Sequence, residues 1–300
     1  MVSLLCNPLA TADQLGSSPS QVDGIPVDLE TSLRWAGSEL IQGAGILLRL
    51  HLLTFHRPQK TVATAIVLFQ RFYLLSSMRS CAIIDACHAA IFLSSKLTEH
   101  PAKPRDIINV TTYLLNIPSP LPISPALVAG QGSIPPKEYY VTEQEYYTKR
   151  ACLLNVETEI LKACGFQTHI SLPYTLCINY IQSLSVLSAE VVKRSFGYLT
   201  DALLSPSLLY LTHQPNSLAV AAVYIGAREC EVKLPAAWWD VFDCEREELG
   251  FLVVCMKGVK EFVENERKLW RGRKPSVPWE LEDLEVYLER RRALDSEAEV

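Results

Sequence analysis

None of the nine cysteines forms a C-x-x-C pair and none of the six histidines an H-x-x-x-H pair, so the commonest zinc-ligand spacings are missing. Cys87 and His88 are adjacent and project about 100° apart on a helix, which does not converge on one ion. No metal and no cofactor is expected. G-x-S-x-G, G-x-x-x-x-G-K-[ST] and G-x-G-x-x-G are also missing; "GAG" at 43–45 lies inside a helical pattern with no strand before it. Enzyme chemistry therefore has no motif to stand on. No apolar, charge-free run reaches the roughly 20 residues of a membrane span. The opening "MVSLLCNPLATAD" has no basic residues before its apolar run, which breaks at Asn7-Pro8, so it does not read as a secretory signal. A basic excess is lacking too: the net charge of −5 offers no general attraction to phosphate backbones. Neither nucleic acid nor membrane is an expected partner.

What is present is helical. Hydrophobic residues at 49% and charged residues at 20% are globular values, and 13 glycines argue against an extensive low-complexity chain. Strand-like alternation is scarce. Cysteines such as Cys87 and Cys177 sit within apolar helical patterns and read as reduced core residues of an intracellular protein.

Residues 1–37 are rich in Ser, Pro and Gly without a clear period and read as a disordered N-terminal arm, order beginning near Ser38. "SELIQGAGILLRLHLLTF" is helical in period, and Pro58 suits an early position of the next helix. A third helix covers Ser80 to Leu97, and "KPRDIINVTTYLL" starts a fourth. Residues 116–140 carry Pro118, Pro120, Pro122, Pro125, Pro135 and Pro136 and read as an insert. A long helix then runs from about Thr142 to Cys164, with Gly165 where a helix C-terminus favours it. Four further helical stretches follow to Trp270; residues 271–300 read as a charged tail in which "WELEDLEVYLERRR" can add an amphipathic helix through Trp279, Leu284 and Leu288.

The chain also repeats itself. "AAIFLSSK" (89–96) and "AAVYIGAR" (221–228) match class by class, and each lies on the third helix of its own set. Small side chains let neighbours approach a central helix closely, so the repeat predicts two copies of a helical bundle, each with its third helix in the middle.

One residue of the first copy stands out. Lys96 ends an otherwise apolar and small-residue helix just before Pro101. It suits the helix dipole and can pair with Glu99 at i, i+3. As the end of a central helix it must also surface at a rim beside the next long helix, where Glu157 and Glu159 interrupt the apolar run of "NVETEILKACGF". A lysine and a glutamate on neighbouring helices can clamp a partner's backbone, with apolar neighbours supplying burial. A second charged feature, "RKLWRGRKP" (267–275), reads either as a nuclear import signal or as solvated charge at a helix end.

"LIQGAGILLRL" (40–50), "TAIVLFQRFY" (64–73), "FLSSKLTE" (92–99) and "RDIINV" (105–110), in this order, resemble the first cyclin box, closest to the L-type cyclins of transcription and splicing. "VETEILKACGF" (156–166) resembles the fifth helix of that box, and residues 172–269, including "QPNSLAVAAVYIGAR", resemble the second box. The resemblance implies an all-α protein of two tandem five-helix cyclin-box bundles, the first over 38–168 and the second over 169–270. It implies that Lys96, Leu97 and Glu157 bind a cyclin-dependent protein kinase, that the chain is a nuclear, non-catalytic activator, and that the kinase acts in RNA polymerase II transcription or pre-mRNA processing. Thr98 stands where an acidic residue is usual, and Gln70 precedes Arg71-Phe72 where cell-cycle cyclins place Asp. No M-R-x-I-L segment leads the box, so a mitotic role is not implied. Two other functions fit a double-box helical chain: a DNA-binding general transcription factor, against which the acidic balance argues, and a scaffold without a kinase.

Overall fold

The computed structural model of the chain describes residues 6–48, 58–116, 140–270 and 277–298, and among these the regular structure is helical, with no strand. The chain divides into two compact units: Ala12–Thr168 with Arg267–Val300, and Met1–Thr11 with His169–Glu266.

Among the described residues from Ala12 to Thr168 the first unit holds the short helices α1 (Ala12–Gly16) and α2 (Pro19–Val22) and five long ones: α3 (Val27–Leu47), α4 (Pro58–Leu75), α5 (Ile83–Leu97), α6 (Pro104–Asn116) and α7 (Glu143–Ala163). Helix α5 packs against α3, α4, α6 and α7. It can touch all four because Ala86, Ala89, Ala90 and Ser94 bring little bulk to its surface, and all are buried. Local signals set the other helix ends. Prolines open α4 and α6 where their missing N–H costs nothing. Thr142 and Glu145 form a reciprocal capping box at the start of α7. Gly165, at φ 56°, takes the left-handed position beyond its end.

The second unit contains α8 (Tyr174–Ser183), α9 (Ala189–Asp201), α10 (Leu209–Thr212), α11 (Pro215–Glu229) and α12 (Arg246–Trp270), the last turn of α12 from Arg267 belonging to the first unit. Helix α11 packs against α8, α9 and α10, and its run from Leu218 to Val223 is wholly buried. The two repeated segments thus lie on α5 and α11, the central helices of two five-helix bundles. Ala90→Leu and Ala222→Leu should each destabilise by roughly 1–3 kcal/mol through overpacking. A neutral thermal melt for either would show that its helix is not enclosed.

The N-terminal region departs from the expected arm. Helix α3 begins at Val27, and Ile25, Leu29, Leu33 and Ala36 are buried, so the core-facing period of α3 extends well before Ser38. Glu30 and Arg34 obscure that period in the sequence, but they neutralise one another across one turn at 2.5 Å. Residues further back are also tied down: Asn7 Nδ2 donates to the Ser171 carbonyl, and the Ser171 N–H donates to Asn7 Oδ1, both at 2.8 Å. Within the charged tail the amphipathic helix expected through Leu284 and Leu288 is present. Helix α13 (Leu281–Ala298) buries Leu284 and Leu288, and Arg79 donates to both carboxylate oxygens of Glu285, at 2.6 and 2.5 Å.

Of the basic cluster, Arg267 is engaged by Glu39 at 2.6 Å, whereas Arg271, Arg273 and Lys274 lie outside the described residues. So do residues 49–57 and 117–139, which hold the end of the expected first long helix and almost all of the proline-rich insert. Among the nine cysteines, all unbridged, the core reading holds for Cys87, Cys177 and Cys244; the others are partly or fully exposed.

His88 on α5 is fully buried, its Nε2 2.6 Å from Thr111 Oγ1 on α6, and burial pushes its pKa down to about 3. Between that value and the unfolded value near 6.5 the unfolded chain binds a proton that the folded chain refuses. His88 therefore makes stability fall with pH below about 6.5, by up to about 1.4 kcal/mol per unit. Replacing His88 with Asn should flatten this limb in urea melts from pH 7 to 4; an unchanged slope would contradict the assignment.

Candidate functional site

The end of α5 explains how Lys96 comes to the rim. Thr98 Oγ1 donates to the Ser94 carbonyl at 2.8 Å and lies 2.8 Å from Thr61 Oγ1 on α4. Glu99 adopts the left-handed conformation, φ 61°, and the His100 N–H reaches back to the Ser95 carbonyl at 2.9 Å. This closure stops the helix at Leu97, four residues before Pro101, and leaves Lys96 in the last turn, where a cation complements the unpaired carbonyls.

The lysine pairs across to α7 rather than along its own chain to Glu99. Lys96 Nζ forms an ion pair with Glu157 Oε1. It also lies 4.2 Å from the centroid of Phe92, one turn back on α5. This cation–π contact, worth about 0.5–1 kcal/mol at an exposed site, was readable in the i, i+4 spacing of Phe92 and Lys96 but was not anticipated.

The two partners differ in environment. The Lys96 side chain is 42% exposed, whereas that of Glu157 is 10% exposed and sits beside the buried Leu153, Val156 and Ile160 of α7. Glu157 Oε1 is sealed from solvent and faces the Lys96 ammonium. The carboxylate is thus neutralised in charge, and the half-exposed lysine keeps donor capacity toward solvent. Leu97, 40% exposed, adds an apolar surface at the same helix end. Glu159 goes elsewhere, to Lys162 at 2.9 Å, with both side chains exposed. The structure therefore brings Lys96 and Glu157 together and separates Glu159 from them. Among the described residues no group of His, Cys, Asp and Glu is arranged to hold a metal ion, and no helix is long and apolar enough to cross a membrane. The chemistry on offer is recognition: one acceptor and one donor beside apolar surface.

Two helical bundles in tandem, each packed around a small-residue third helix, the first with a lysine at the end of that helix and a glutamate on the fifth, define a cyclin-box protein. No protein-family model matches the chain. It is 33% identical over 257 residues to cyclin-L2 of Mus musculus, which covers 84% of this chain and 44% of that protein. It is 30% identical to cyclin-L1 of Danio rerio over 295 residues and of Homo sapiens over 300, in each case 97% of this chain and 52% and 49% of those proteins. The chain belongs to the cyclin family, as a member of its L type, and spans about half the length of these curated relatives. Two solved structures share the fold. One is a chain of the yeast RNA polymerase II CTD kinase CTDK-1 complex, with TM-score 0.66, 14% identity, and coverage of 96% of this chain and 84% of that one. The other is a chain of the Chaetomium thermophilum CAK complex bound to ATP-γ-S, with TM-score 0.51, 17% identity, and coverage of 90% and 79%.

Proposed function

We propose that the chain is a non-catalytic regulatory subunit that binds and activates a cyclin-dependent serine/threonine kinase in the nucleus, in RNA polymerase II transcription or pre-mRNA processing. The observation that carries this reading is the Lys96–Glu157 pair: a buried carboxylate held by a half-exposed lysine and flanked by Leu97. Such a pair can grip a partner's backbone from both polarities at once, accepting from an N–H and donating to a carbonyl. Docking would favour the kinase conformation whose own Lys–Glu ion pair is formed, a shift of population that leaves all the chemistry to the kinase. The kinship to L-type cyclins supports the transcription and RNA-processing branch, as does the fold shared with a subunit of a polymerase CTD kinase complex. Affinity purification of the tagged chain from nuclear extract should bring down a cyclin-dependent kinase in near-stoichiometric amount. Recovery of a helical scaffold partner or DNA, with no kinase, would contradict the proposal.

A further inference from the structure

Helix α12 carries two apolar stripes where its own bundle uses one. Leu249, Leu252, Met256, Val259 and Val263 are buried. Phe251, Val254, Cys255, Gly258 and Phe262 fall on a different face about 100° wide and, at 1.5 Å per residue, about 16 Å long. Phe251 is 51% exposed and Val254 73%. A helix that only closed its own bundle would carry polar residues on this face.

Gly258 lies in the middle of the second stripe. A glycine inside a helix costs about 1 kcal/mol against alanine. Neither reason to keep one applies within this chain: its backbone is helical, and a Cβ built there would meet no atom within 4 Å. What the missing side chain does provide is close access for another backbone. The charges beside the stripe are predominantly acidic: Glu247 and Glu248 flank one end and Glu261 the other, against Lys257. Lys257, exposed next to Gly258, adds the smallest of several effects that lower the carboxyl pKa of Glu229 on α11, the largest being the hydrogen bond from Tyr198. His213 stacks on Phe251 at 5.4 Å, and burial pushes its pKa down despite Glu248, so near pH 7 it extends the apolar surface without adding positive charge.

We propose that this face of α12 is a docking surface for a basic amphipathic helix of another protein, distinct from the Lys96–Glu157 rim. The occupant's apolar ridge would lie along Phe251, Val254 and Phe262, its backbone passing closest at Gly258, and its flanking Lys or Arg residues would meet the three glutamates. A second copy of this chain is disfavoured as occupant, because two such faces would set carboxylates against carboxylates.

The test uses the full chain and a fluorescein-labelled synthetic helix of 20 residues with leucines on one face flanked by lysine and arginine, beside a counterpart flanked by glutamate. The basic helix should bind with micromolar affinity that weakens with salt, and the acidic one at least tenfold more weakly. Val254→Lys, and the charge-neutral Phe251→Ala, should each lose at least tenfold toward the basic helix. Gly258→Ala should raise the melting temperature while weakening the helix, a combination that a purely structural glycine would not produce. The proposal is overturned if the basic helix does not bind, if it binds both variants as it binds the wild type, or if sedimentation shows self-association that Val254→Lys abolishes.

Discussion

Lys96→Ala and Glu157→Ala should each weaken binding of the kinase thirtyfold to several thousandfold, which corresponds to about 2–5 kcal/mol. Each change leaves the kinase groups gripped by the missing side chain without partners in a desolvated interface. The effects on the free chain should differ. Glu157 is buried and has Lys96 as its counter-charge, so Lys96→Ala also costs stability, about 1 kcal/mol, because the half-exposed lysine is already partly compensated by water. Glu157→Gln keeps the shape, removes the charge and isolates the binding effect. Glu159→Ala should stay within about 0.5 kcal/mol of wild type in both respects, since Glu159 pairs with Lys162 at the surface. Titration of each purified variant against the co-purifying kinase, with a melt alongside, decides. Wild-type affinity in both alanine variants would rule out docking through this pair.

Arg267→Ala should destabilise the protein by about 3 kcal/mol, the low end for removing one partner of a buried pair, because Arg267 is 32% exposed. Glu39 is buried in α3; burial raises its carboxyl pKa, and Arg267 opposes the rise. Without the arginine the carboxyl pKa climbs further above its unfolded value, and the cost is largest above that raised pKa, where an unpaired charge must stay buried. The deficit should therefore shrink as pH is lowered from about 8 to 5, where protonation removes the charge. Glu39→Gln combined with Arg267→Ala should recover most of the loss. Equal stability of Arg267→Ala and wild type in urea at pH 7.5 would return Arg267 to the reading of free surface charge.

Both pairs show which kinds of information the sequence carries. Helices α5 and α11 were legible because small and apolar residues surround them on all sides, and the end of α7 because Gly165 is a local signal. The start of α3 was not. Its period is interrupted by Glu30, Arg34 and Glu39, and their burial becomes intelligible only through partners, one of which, Arg267, lies far along the chain. The same holds at the candidate site. Residue types and helix ends marked Lys96 as a charge forced to a rim, but two glutamates were available on the next long helix. Their separation into a buried partner of Lys96 and an exposed partner of Lys162 follows from the rotation of α7 against α5, which tertiary packing sets.

Activation, rather than binding alone, is what distinguishes a kinase regulator from a scaffold. The most direct measurement is phosphate transfer from labelled ATP to a Ser-Pro peptide by the co-purified kinase, stripped of this chain and then reconstituted with it at saturating concentration. The reading proposed here predicts activity near background for the kinase alone, a rise of at least tenfold on adding the wild-type chain, and little rise with the Lys96→Ala/Glu157→Ala double variant at the same concentration. A kinase equally active with and without the chain would contradict it.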